Sequence, residues 1–237
     1  MAPIFTGVTR GLGGFGFGKG PSGPTVFGAT GGNIDAATPG NGYTYHVFTE
    51  PGTFTLTGPP GPVEYLVVAG GASGGYDRNG GGGAGGLRCN SPGCPSPRRT
   101  PALTLTTGGH TITVGEGGAT RTSYWGNPGS NSSLGTQVVA SGGGSSGPTP
   151  LLPGGSGFGG GSQAYHPYGT TVASPDGLSP TTQGFAGGSI NPGQNSPPAF
   201  GGGGGGAGSI GGWSGTPNPF PGGYGKGGSG IQINIAN

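Results

Sequence analysis

The residues able to do chemistry in this 237-residue chain are few and scattered. Its three histidines, His46, His110 and His166, stand far apart, and none belongs to a His-Glu-x-x-His zinc pattern. His46 and His110 are expected to face outward from strands, whereas His166 sits in a loop and is a binding candidate. The six carboxylates, Asp35, Glu50, Glu64, Asp77, Glu116 and Asp176, form no paired motif for glycosidase-type acid and base work. Residues 13–20 imitate a phosphate loop, but Gly20 stands where Ser or Thr must hold the metal. Cys89 and Cys94 enclose four residues with no histidine near, so they cannot complete a zinc site. That leaves a small loop disulfide, formed after release into an oxidising medium, or two free thiols. The chain is therefore expected to be no enzyme and to use no cofactor or metal.

Composition narrows the partners. Glycine supplies 67 residues and proline 25, while hydrophobic residues make up 28% and charged residues 6%. Soluble domains carry about 45–50% apolar residues, glycine included, and about 25% charged ones. A disordered chain is usually charged and poor in aromatics, whereas this one holds ten Phe, eight Tyr and two Trp. A net charge of +2, with no basic block and no Arg-Gly-Gly repeat, gives no means of capturing nucleic acid. No run approaches the roughly 18 apolar residues of a membrane helix, so no membrane insertion is expected. The first ten residues lack the charged lead and apolar core of a secretory signal, so synthesis in a cytosol and release by another route are expected.

The elements that could position these groups are short strands. Residues 43–49 and 53–57 alternate with period two about Glu50-Pro51-Gly52 and read as a hairpin. Residues 63–68 end in an unbroken apolar run, which predicts a central strand buried on both faces. Further strands are expected at 103–106, 110–114 and 136–140, and Ile231, Ile233 and Ile235 alternate as if the C-terminus returned to the same sheet. Six glycine runs, at 80–86, 142–147, 154–161, 184–188, 201–208 and 222–230, have similar lengths. Ordering glycine costs roughly 1–2 kcal/mol of backbone entropy per residue, against about 0.5–1.5 kcal/mol gained per hydrogen bond. One isolated glycine strand gains nothing, so order must be collective. The fold class expected is thus mainly β or irregular, a small sheet scaffold supporting a bundle of polyglycine II helices with exposed end loops. Three regions follow: an N-terminal segment over 1–32, the β-scaffold with the first glycine run over 33–140, and the polyglycine II domain with a C-terminal strand over 141–237.

Between the runs lie segments rich in Pro, Asn, Ser and large rings. Tyr76 with Arg78, Tyr124 with Trp125, Tyr165 with His166 and Tyr168, Trp213, Phe220 and Tyr224 are the contact candidates. Rings with few rotatable bonds suit sugar faces and protein pockets. The competing role is to cap the bundle and cover its glycine flanks. In residues 1–32, Phe5, Phe15, Phe17 and Phe27 on a glycine-rich arm without strand or helix period point to a peptide that orders on a partner or sister subunit. The competing reading packs that arm on its own domain.

Thr53-Phe54-Thr55, then Val63-Glu64-Tyr65-Leu66-Val67-Val68-Ala69-Gly70-Gly71, then residues 80–86, then His110-Thr111-Ile112-Thr113-Val114-Gly115-Glu116-Gly117-Gly118 resemble the glycine-rich domain of bacteriophage tail-fibre and tail-tip adhesins. The resemblance covers roughly residues 43–237. It implies a virion tail protein made in the host cytoplasm, whose polyglycine II sandwich displays loops to a bacterial surface receptor, a glycan or an outer-membrane protein. It also implies that the N-terminal segment, through Phe5, Phe15, Phe17 and Phe27, anchors in other tail proteins. A homotrimer is common among such fibres, although no heptad supports one here. The alternative is a purely structural decoration or connector of head, neck or tail, without receptor binding. An ice-binding protein would need regular Gly-x-x repeats, which the irregular runs and aromatic loops contradict. A disordered RNA binder would need arginines that are absent.

Overall fold

The computed structural model describes residues 4–8, 27–37, 43–76, 79–95, 99–120, 125–146, 154–160, 171, 182–189, 201–213 and 225–233. No helix occurs among them, so none is long and apolar enough to cross a membrane. The chain is mainly strand and irregular backbone, built on two small antiparallel sheets.

In the first sheet β1 (Ile4–Val8), β3 (Ile34–Ala37), β4 (Tyr45–Phe48), β6 (Gly61–Val68) and β7 (Leu87–Cys89) run in the order β3-β4-β1-β6-β7, with β8 (Leu103–Leu105) pairing the start of β6. The second sheet orders β11 (Val138–Ala140), β10 (Ser132–Leu134), β9 (Gly108–Thr113), β5 (Gly52–Thr57) and β2 (Gly28–Thr30). Period-two alternation decides what each sheet turns inward. Val63, Tyr65 and Val67 of β6 are buried, as are Phe54 and Leu56 of β5, and they meet Phe48, Leu105, Ile112, Leu134, Val138 and Ala140 in one core. At roughly 1.5–3 kcal/mol per fully buried large side chain, this sandwich is where side-chain burial stabilises the molecule.

Five expectations change. The stretches read as a hairpin form β4 and β5, but these lie in different sheets and do not pair. Phe48, Phe54 and Leu56 all face the common core, so the three residues 49–51 arch between the sheets instead of closing a hairpin. His46, expected to face out, is 3% exposed. Its Nδ1 lies 2.9 Å from the Gly31 carbonyl and its ring meets Phe54 edge-on at 5.3 Å. The N-terminal arm, read as lacking regular structure, supplies β1, which pairs with β4 on one side and β6 on the other. Finally, residues 231–233 are not a strand; Ile231 and Ile233 instead pack on the outer face of the first sheet, near Leu66 and Val68. That cover is partial, so β6 is fully buried on one face and half-buried on the other.

Beyond the strand ends the chain runs on as glycine. Residues 69–75 continue β6, 115–118 continue β9 and 141–146 continue β11, while 80–86 lead into β7 and 126–130 into β10. Residues 154–160, 183–189, 201–213 and 225–230 stack upon these through backbone hydrogen bonds. Here a partner recurs every third residue. The N–H groups of Ala69, Ala72 and Gly75 donate to the carbonyls of Gly86, Gly83 and Gly80, while Gly70 and Ser73 donate to Ser130 and Asn127. Likewise Gly81 and Ala84 donate to Gly202 and Gly205, whereas Gly83 and Gly86 donate to Gly144 and Ser141. Each segment thus serves several neighbours, where a strand serves two. The packing excludes side chains: a Cβ on Gly80 would lie 1.7 Å from the Gly159 carbonyl oxygen, and one on Gly203 would lie 1.8 Å from that of Lys226.

Candidate functional site

The register of this array sets which of the described residues share an end. Gly75 donates to Gly80, Ser73 to Asn127, Gly81 to Gly202, Gly202 to Gly160, Gly160 to Gly188, Gly203 to Gly212 and Gly212 to Lys226. Following these rungs, residues 76, 79, 120, 125, 189, 201, 213 and 225 all fall at the end remote from the sandwich.

Two contact candidates stand at that end on neighbouring segments. Tyr76 and Trp125 follow and precede neighbouring segments joined by the Ser73–Asn127 rung, and the Asn127 N–H also donates to Ser73 Oγ at 2.8 Å. Asn127 Nδ2 donates to the Ala119 carbonyl at 2.9 Å, tying the third segment to the pair. Tyr76 is 61% exposed and Trp125 is half-buried. Trp213 stands at the same end on a more distant segment, half-buried, its carbonyl accepting the Gly225 N–H at 2.9 Å. Arg78, Tyr124, Tyr165, His166, Tyr168, Phe220 and Tyr224 lie outside the described residues.

Of the anchoring candidates, Phe5 falls in β1 and Phe27 packs against the sandwich core, while Phe15 and Phe17 lie outside the described residues. His110 is half-buried, its Nε2 2.8 Å from the Thr106 carbonyl. Glu64 accepts the Tyr43 hydroxyl at 3.3 Å. Among the described residues no three His, Cys, Asp or Glu side chains converge to hold a metal. Cys89 and Cys94 are disulfide-bonded, which decides between the two alternatives open from sequence.

Sequence reasoning missed the buried polar groups that join array to scaffold. Gln183 is wholly buried; its Oε1 accepts the Ser141 N–H at 2.7 Å, and its Nε2 donates to the Val139 carbonyl at 3.3 Å. Its own carbonyl accepts the Leu87 N–H. Asn90 acts similarly beside β6: its Oδ1 accepts the Tyr65 N–H at 2.8 Å and its Nδ2 donates to the Val63 carbonyl at 2.9 Å. This side chain fills the gap between β7 and β8 along β6. The one signal for Gln183 was a long amide at the head of a glycine run, where a buried acceptor and donor have bare backbone to meet.

The sequence model of a family described as a glycine-rich domain matches residues 49–236 of the chain. No curated protein and no solved structure gives a significant match.

Proposed function

The chain belongs to the glycine-rich domain family, and from that premise we propose that it is a non-catalytic binding protein of a bacteriophage tail fibre or tail tip. In this reading it contacts the host surface through aromatic side chains at the remote end of its array, Tyr76 and Trp125 among them. The observation that carries the reading is that Tyr76, 61% exposed, stands at the same end of the array as Trp125 and Trp213. We further read the array as a polyglycine II sandwich. What supports this is the recurrence of hydrogen-bond partners at every third residue, the period of a three-residue helical turn.

The test is binding of labelled full-length protein to a panel of bacterial strains. Saturable binding to some strains is expected, falling roughly tenfold or more when Tyr76→Ala and Trp125→Ala are combined, as for aromatic anchors at interfaces. Binding to no strain, with tight binding to isolated tail components, would favour the structural connector instead.

A further inference from the structure

Cys89 ends β7 wholly buried, and its bonded partner Cys94 is 6% exposed. Both sit in an apolar cluster with Leu87, against which Leu66, Val68, Ala207, Ile231 and Ile233 pack. These residues come from the outer face of the first sheet, the turn of the 201–213 segment and the last described stretch of the chain. The disulfide thus lies in the seam between the sandwich and the glycine segments laid down last.

The loop it closes is tied to the sheet mainly at its start. Asn90 pairs with Tyr65 and Val63, and Thr100 donates from Oγ1 to the Cys89 carbonyl at 2.9 Å while its N–H donates to the same carbonyl. Pro92 and Gly93 are exposed. Cys94 returns this outer half of the loop to the apolar cluster, where it helps seat Ile231 and Ile233.

We propose that Cys89–Cys94 is a thiol–disulfide exchange site, with a dithiol as co-substrate, that latches the late glycine segments onto the sandwich. A thiolate of the dithiol attacks one cysteine sulfur, the Cys89–Cys94 bond breaks, and the departing sulfur leaves as a thiolate that takes up a proton. The second thiol of the dithiol, losing its proton, closes on its partner and releases the other cysteine. Two electrons and two protons pass to the protein, and the reductant ends as a cyclic disulfide. Because both sulfurs are buried, attack follows opening of the cover over the seam, so redox state and the order of the late segments are coupled. In a reducing compartment the segments at 203–212 and 225–233 stay loosely held; in an oxidising one they lock.

The test treats the full-length protein with dithiothreitol, counts thiols by mass after alkylation, and follows hydrogen exchange peptide by peptide. Complete reduction is expected to raise exchange over 203–212 and 225–233 by roughly tenfold or more, the sign of a local opening, while residues 63–68 and 132–140 stay unchanged. Unchanged exchange over 225–233 after complete reduction would overturn the latch. An equal rise in the sandwich would also overturn it, since the bond would then staple the whole fold. A Cys89→Ser, Cys94→Ser double variant is expected to show the reduced pattern without reductant; should it not fold, the reduction of the unaltered chain still decides.

Discussion

The sandwich and the glycine array are ordered by opposite means. In the sandwich, side chains such as Phe54 and Leu56, 0% and 1% exposed, leave water for an apolar core. In the array, Gly80 and Gly203 contribute no side chain, and backbone carbonyls fill the space a Cβ would need. The first is tolerant of which apolar group fills a volume; the second is intolerant of any group at all. The array also depends on the sandwich, because five of its segments are strand ends extended into glycine.

The contrast can be broken most forcefully from the sandwich side. Phe54→Ala is expected to cost about 3–5 kcal/mol and to lower the melting temperature of the whole molecule, array included, by calorimetry. Next in size is the joint between the regions. Gln183→Ala removes the acceptor of the buried Ser141 N–H, at a cost of about 1–3 kcal/mol for a buried unsatisfied group. Denaturant unfolding should show this loss, with exchange rising first at 138–146 and 182–189.

Within the array, paired glycine substitutions sharpen the comparison. Gly203→Ala forces a methyl against the Lys226 carbonyl and should cost about 1–3 kcal/mol, as overpacking does. Gly227→Ala meets its nearest atom, the Gly204 carbonyl oxygen, only at 4.0 Å on an exposed segment. It should be neutral or stabilising by about 0.4–1 kcal/mol through the unfolded chain. Equal effects at the two positions in denaturant melts would contradict the packing described. Smallest of all, Tyr76→Ala at the exposed end should change stability by about 0.5 kcal/mol or less, with its consequence confined to binding.

Much of the scaffold was legible because side chains carry a period. Alternation marked β4 and β5, an unbroken apolar run marked β6, and the passage from Val68 and Ala69 into Gly70 is where the array begins. What alternation does not encode is the partner. The same Phe48 and Phe54 that identify two strands fit a hairpin or an arch equally well, and only the shared core selects the arch. β1 was hidden because Ile4-Phe5-Thr6-Gly7-Val8 breaks its own alternation at Gly7, and its place between β4 and β6 is fixed by distant strands. In the array the limit is sharper still. Glycine has no side chain with which to write a register, so the rung between Gly81 and Gly202 leaves no trace in sequence. Of the candidate site, the ring positions could be read, while the placing of Tyr76 and Trp125 on neighbouring segments depends on that same unwritten register.

The glycine segments are held by backbone hydrogen bonds to several neighbours at a three-residue period. Residue-resolved hydrogen exchange on the full-length protein tests this most directly. Slow exchange is expected at the bonded amides of Gly81, Gly83, Ala84 and Gly86 and at Gly202, Gly203, Gly205 and Gly206, comparable with the amides of β6. Uniformly fast exchange across residues 80–86 and 201–206, with the sandwich still protected, would contradict it.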